Sequence, residues 1–213
     1  MGPTPRRPLL RTALLLALCS VALTGCFRFE LAIKVDEDGS GVANIVAAFE
    51  DSFLRLAGEE LADFTVSPDP ETLPPGVAVE EYRQAGFAGQ RFSVAVPDME
   101  QLPQALEELG DESAAFISDL ELTREGEVWR FSLAAELPVS EQAAGTDFVF
   151  RGDSYSLEDL LETASYTVRL ALPGEIADHN ADRVEDDELV WDIDFTSKAP
   201  RRLSARSQPP DGL

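Results

Sequence analysis

From Phe27 onward the chain repeatedly alternates apolar and polar residues with a period of two, and this constrains its fold more than any other feature. Phe27, Phe29, Leu31, Ile33 and Val35 interleave with Arg28, Glu30, Ala32, Lys34 and Asp36. Successive side chains of an extended chain point to opposite faces, so the pattern predicts a strand with one wet face and one face that needs a core. Asp36-Glu37-Asp38-Gly39-Ser40-Gly41 then supplies a turn, with glycine available for positive φ, and residues 42–49 return as the partner strand.

The same period recurs downstream. Residues 77–83 and 90–96 predict a second hairpin around a turn region containing Gly86 and Gly89, with Phe92, Val94 and Val96 on one face. Residues 116–123 and 128–137 predict a third, in which Trp129, Phe131, Leu133 and Leu137 share a face. Tyr166, Val168, Leu170 and Leu172 resume the alternation up to Pro173-Gly174. After an acidic polar loop over 178–188 it returns in Leu189, Trp191, Ile193 and Phe195.

Helical spacing occurs in three places. Phe49, Phe53, Leu54 and Leu56 before Gly58 predict a short helix, which the proline-rich stretch 67–76 cannot continue. Leu102, Leu106 and Leu109 fall on one face, with Asp98 and Gln101 as a box-like cap, Pro103 suited to a first turn and Gly110 as a stop. Leu157, Leu160, Leu161 and Ala164 follow Ser156 as a further helix. Hairpins with helices between them imply an α+β fold. We expect a predominantly antiparallel, curved sheet with two or three short helices packed on one face, and not a parallel doubly wound sheet.

The N-terminus fixes the address. Arg6, Arg7 and Arg11 form a positive region, residues 12–22 an apolar run of about eleven residues, and Leu23-Thr24-Gly25-Cys26 reads as a lipobox. The run is too short to span a bilayer. Cys26 is therefore expected to become the acylated first residue of the mature protein, carrying palmitate-type chains, with Leu23, Thr24 and Gly25 read by the processing enzymes. Two or three acyl chains, at about 0.8 kcal/mol per buried methylene, hold a protein on a membrane durably. The arginine pair also approaches a twin-arginine signal, so the general and twin-arginine export routes both stay open.

Removal of residues 1–25 takes away three arginines and no acid, so the formal net charge falls from −23 to −26. A body this acidic is repelled by phosphate, which argues against nucleic-acid partners and leaves membrane attachment to the lipid. Cys19 lies in the discarded segment and Cys26 is the acyl acceptor, so no thiol remains for a disulfide.

Little points to catalysis. His179 is the single histidine, no serine sits in a Gly-x-Ser-x-Gly elbow, and no phosphate-cradling loop occurs. The 36–41 turn matches the first half of a calcium loop, but Ala47 stands where the closing glutamate belongs, so a hairpin turn is the expected reading. The run Asp186-Asp187-Glu188 reads as a solvated face. No metal, cofactor or enzymatic activity is expected.

Several features together resemble the LppM-type lipoproteins of actinobacteria. They are Cys26 running straight into the first strand, the Asp38-Gly39-Ser40-Gly41 turn, and Pro173-Gly174 followed by His179-Asn180 and by Trp191 in a late strand. The resemblance implies a lipid-anchored α+β domain on the outer face of the cytoplasmic membrane that binds lipid or glycolipid, with no catalytic residues to carry over. Ala181 departs from the glycine that often follows the asparagine. A polar tail stands where many members have a C-terminal membrane helix, so a second attachment is not expected. The chain divides accordingly into a signal peptide (1–25), a single LppM-like domain (26–197) and a basic polar strand and tail (198–213).

The expected function is that of a non-enzymatic envelope lipoprotein sheltering an apolar ligand. Phe92, Trp129, Phe131, Trp191 and Phe195 are the candidate wall residues. The alternative is a structural lipoprotein that docks an envelope protein through strand edges or acidic loops and holds no ligand.

Overall fold

The computed structural model describes residues 25, 27–57, 73–109, 118–135, 147–150, 153–156, 164–193 and 201–209. Strand β1 (Phe27–Val35) pairs antiparallel with β2 (Gly41–Glu50), in register from Phe27 opposite Phe49 to Val35 opposite Gly41. Their turn closes as its sequence predicts. Gly39 adopts φ +93°, the Asp36 amide donates to the Ser40 carbonyl at 2.8 Å, and the Asp38 carboxylate accepts from the Ser40 amide and hydroxyl at 3.0 and 2.6 Å.

The short helix α1 (Asp51–Ala57) follows, then β3 (Val77–Gln84) and β4 (Phe87–Val96). The two-residue turn between them is Ala85-Gly86, at φ +54° and +83°, as a right-twisted hairpin requires. Gly89, expected in the turn region, lies within β4. A Cβ there would sit 2.1 Å from the Ala47 carbonyl oxygen, so this glycine serves close approach of β2 and β4.

Asp98 caps a 3₁₀ turn (Met99–Gln101) by accepting from the Glu100 amide at 3.1 Å, and α2 (Leu102–Glu107) begins there with Pro103 in its first turn. Leu102 and Leu106 are buried. Next come β5 (Ser118–Glu125), β6 (Val128–Ala135), β7 (Asp147–Phe150), β8 (Asp153–Ser156) and β9 (Ser165–Ala171). The chain continues through β10 (Glu175–His179), β11 (Arg183–Glu185), β12 (Glu188–Ile193) and β13 (Arg201–Gln208). Apart from Ala164, the expected helix over 157–164 lies outside the described residues, as do Gly110 and Leu137.

Among the described residues the strands form a seven-stranded sheet, β11-β12-β9-β1-β2-β4-β3, a four-stranded sheet, β10-β13-β6-β5, and the pair β7-β8. Every pairing is antiparallel except β1 with β9. The class is α+β with few helices, and both large sheets are open. The expected single sheet covered by helices is instead two sheets sharing one core, because alternation states that a strand has a buried face and not what covers it.

Two local expectations also change. The stretch 178–188, read as a loop, contains β11 and the end of β10, and each of these strands lies at a sheet edge, where backbone pairing needs no apolar alternation. The strand expected after residue 197 is present as β13, and it is an interior strand between β10 and β6.

The core joins both sheets. Phe29, Leu31, Tyr166, Val168, Leu170 and Trp191 from the large sheet meet Trp129, Phe131, Leu133 and Leu203 from the small one. Phe29 meets Tyr166 edge-on at 4.8 Å, and Phe131 and Trp191 lie 5.7 Å apart across the sheets. Each such side chain contributes about 1.5–3 kcal/mol by leaving water. Burial also pushes the Tyr166 phenol well above its ordinary pKa, so it stays neutral.

Candidate functional site

Three of the candidate wall residues converge on this interior. Trp129, Phe131 and Trp191 are 1, 2 and 0 % exposed. Alternation on β6 points Trp129 and Phe131 to one face, and on β12 the same rule turns Trp191 toward them. The Arg124 guanidinium covers Trp129 at 5.4 Å from the ring centroid, and the Trp129 amide donates to the Ser207 hydroxyl at 3.2 Å. Phe92 does not join them. On β4, opposite Ile45 and Val79, it is only partly buried against the core, as are Val77, Ala105 and Leu109.

Phe195 lies outside the described residues, as do Leu23, Thr24 and Cys26. Gly25 is half-buried just ahead of β1. The backbone enters the large sheet at Phe27, one residue after Cys26, and Phe27 is buried with its ring 4.9 Å from Phe49. Cys26, the expected acyl acceptor, is thus the residue directly before the first strand.

A polar tie that sequence reasoning missed surrounds Trp191. Its indole N–H donates to Asn180 Oδ1 at 2.9 Å, and the same oxygen accepts from the Ser204 amide at 2.9 Å. Asn180 Nδ2 donates to the Arg202 carbonyl at 2.8 Å. One side chain thereby joins β12 of the large sheet to β13 of the small one. Asn180 stands out in the sequence beside His179, but only its partners reveal what it does. His179 itself accepts locally from the Ala181 amide at 3.2 Å.

Close by, Arg201 grips Asp182 with both terminal nitrogens, at 2.8 and 2.9 Å, and donates to the Asp192 carbonyl at 2.9 Å. The Arg201 hydrogen bonds hold the Asp182 carboxyl below the usual carboxylate range. Arg183 pairs with Asp192 and Glu185, while Arg169 lies 3.1–3.7 Å from Glu30, Glu185 and Glu188. These groups knit strands together. Among the described residues no group of three or more His, Cys, Asp or Glu side chains is placed to hold a metal ion.

An open two-sheet α+β domain, cross-tied by an asparagine and an arginine, defines a class of sandwich-like sheet domains. The LppM domain family model matches residues 28–209, and the chain belongs to that family, which is of lipoprotein type. A search of curated proteins gives no match. The NMR structure of the folded domain of Mycobacterium tuberculosis LppM is similar at TM-score 0.58 and 19 % identity, covering 88 % of this chain and 92 % of that one. At that identity the likeness establishes the fold alone.

Proposed function

We propose that the protein is a non-enzymatic lipoprotein anchored through acylated Cys26 to the outer face of the cytoplasmic membrane, where its domain binds an apolar lipid or glycolipid. The anchor reading is carried by one observation: a complete lipobox stands directly before β1 in a chain of a lipoprotein-type family. The ligand reading is supported by Val77 and Phe92 on β3 and β4 and by Ala105 and Leu109 in and after α2, apolar side chains that pack against the core and stay half-buried. Ligand sites pair apolar side chains with access from solvent, and these residues offer both, whereas Trp129, Phe131 and Trp191 are sealed in.

That sealing favours a second reading, a scaffold that docks an envelope protein and carries no ligand. The two separate in native mass spectrometry of the Cys26→Ala protein purified without detergent. A co-purifying lipid mass that is lost on Phe92→Ser supports the first reading. A clean apo mass assigns the protein to the second.

A further inference from the structure

We infer that the domain stands upright on the bilayer, with the end of the sandwich that carries Phe27, α1 and the Ala85-Gly86 turn seated in the headgroup layer and the acidic turns held at the far end. The inference rests on acylation of Cys26.

Three observations carry it. First, the tether has almost no slack. One residue adds at most about 3.6 Å of reach, so a chain whose first strand residue follows the acylated cysteine cannot swing that end of the sheet clear of the surface.

Second, the surface at that end suits an interface. Phe27, Phe49 and Phe53 form a chain of rings 4.9 and 5.8 Å apart, running from β1 to α1, with Phe49 and Phe53 half-buried. The Asp51 amide donates to the Gly86 carbonyl at 2.8 Å, which fixes α1 beside the exposed β3–β4 turn. Arg28 is held there over the Phe87 ring at 5.0 Å while donating to the Tyr82 hydroxyl at 3.2 Å, Arg55 is exposed on α1, and Arg83 is exposed in a pair with Glu81. Apolar rings with arginines at their margin are what an anionic headgroup layer accepts.

Third, acidic turns lie together at the opposite end, whereas the seated end carries Glu50, Asp51 and Glu81 beside its arginines, with Glu81 paired to Arg83. Asp36, Glu37 and Asp38 occupy the turn after β1, Glu125 ends β5, and Asp186 and Asp187 form the turn before β12. The register places all of these turns beyond the Val35 end of β1: Leu189 pairs with Leu170, which pairs with Ile33, and the Gly39 backbone lies against Arg124 and Trp129. Nine residues of β1 span about 30 Å, several times the Debye length of ~8 Å, so in this pose headgroup repulsion of those acids is screened. Any tilt that lowers the acidic end restores it.

The test uses the full-length acylated protein in vesicles of phosphatidylcholine and phosphatidylglycerol. With Cys26 capped, a cysteine introduced at an exposed position is the free thiol that takes an environment-sensitive dye. Arg55→Cys and Gln84→Cys mark the seated end and Glu37→Cys the far end. Because about 30 Å separates the ends, a nitroxide on the lipid headgroups should quench the first two dyes at least about threefold more than the third. Equal quenching, or stronger quenching of Glu37→Cys, overturns the upright pose while leaving the anchor intact. Protein that carries no acyl mass and fails to float with the vesicles overturns the anchor and the pose together.

Discussion

The indole N–H of Trp191 donates to Asn180 Oδ1 at 2.9 Å, and through this bond the large sheet is tied to strand β13 of the small one. Asn180→Ala leaves a buried indole donor and the Ser204 amide without this acceptor. We expect a loss of about 1–3 kcal/mol of unfolding free energy. Urea titration followed by tryptophan fluorescence measures it. Asn180→Asp, which keeps the acceptor and loses the donor to Arg202, should cost less.

Phe131→Ala distinguishes a packed interior from a ligand-filled one. In the close-packed site seen against Trp191, removal of the ring should cost about 3–5 kcal/mol through lost burial and the cavity left behind. A loss under about 1 kcal/mol in the ligand-free protein would show that the ring lines a space already open.

Gly89→Ala and Gly86→Ala should separate sharply in thermal unfolding. At Gly89 the new Cβ meets the Ala47 carbonyl oxygen at 2.1 Å and the Ala48 Cα at 2.6 Å, both backbone atoms that cannot move without parting β2 from β4. At Gly86 nothing lies within 4 Å and only the positive φ is strained, which costs about 1–2 kcal/mol. The Gly89 variant should melt well below the Gly86 variant, and equal melting temperatures would contradict the close approach.

The Asp182–Arg201 pair sets a direction for acid sensitivity. Asp182 has a lower pKa folded than unfolded, so its contribution is complete above about pH 4 and is lost as pH falls through the lowered folded value. Both side chains are more than a third exposed, which limits the pair to about 1 kcal/mol or less. Denaturant midpoints for wild type and Asp182→Asn should therefore differ at pH 6 and converge near pH 2. A gap that persists at low pH would mean that the mutation acts by another route.

Cys26→Ala should abolish incorporation of an alkyne-tagged fatty acid and move the protein from the membrane to the soluble fraction. Membrane retention without label would show that something other than this thioether holds it.

Strands with one wet face were legible from the sequence: β1 and β9 alternate and burial follows the alternation, while in β12 Leu189, Trp191 and Ile193 are buried as expected and Val190 is buried as well. The division into two sheets was not, nor was the parallel pairing of β1 with β9. Partners more than a hundred residues apart leave no local trace of their choice. Strand β11 and the end of β10 were read as loop because edge strands in charged sequence are specified by backbone hydrogen bonds to a neighbour. Of the proposed ligand walls, the convergence of Trp129, Phe131 and Trp191 followed from alternation, while the half-exposure of Phe92 depends on what its sheet is packed against. The tie made by Asn180 was out of reach, because its partners on β12 and β13 are fixed only once the chain has folded.

The place of β1 has a mechanical consequence. It lies between β2 and β9, paired residue by residue from Phe27 to Val35 on one side and from Arg28 to Lys34 on the other. A force applied to the N-terminal end of β1 along the strand loads both ladders in shear, so many hydrogen bonds resist together instead of unzipping one after another. A pull on Phe27 along the strand axis therefore meets two neighbours at once, and the N-terminal end of β1 acts as a strain-bearing keel.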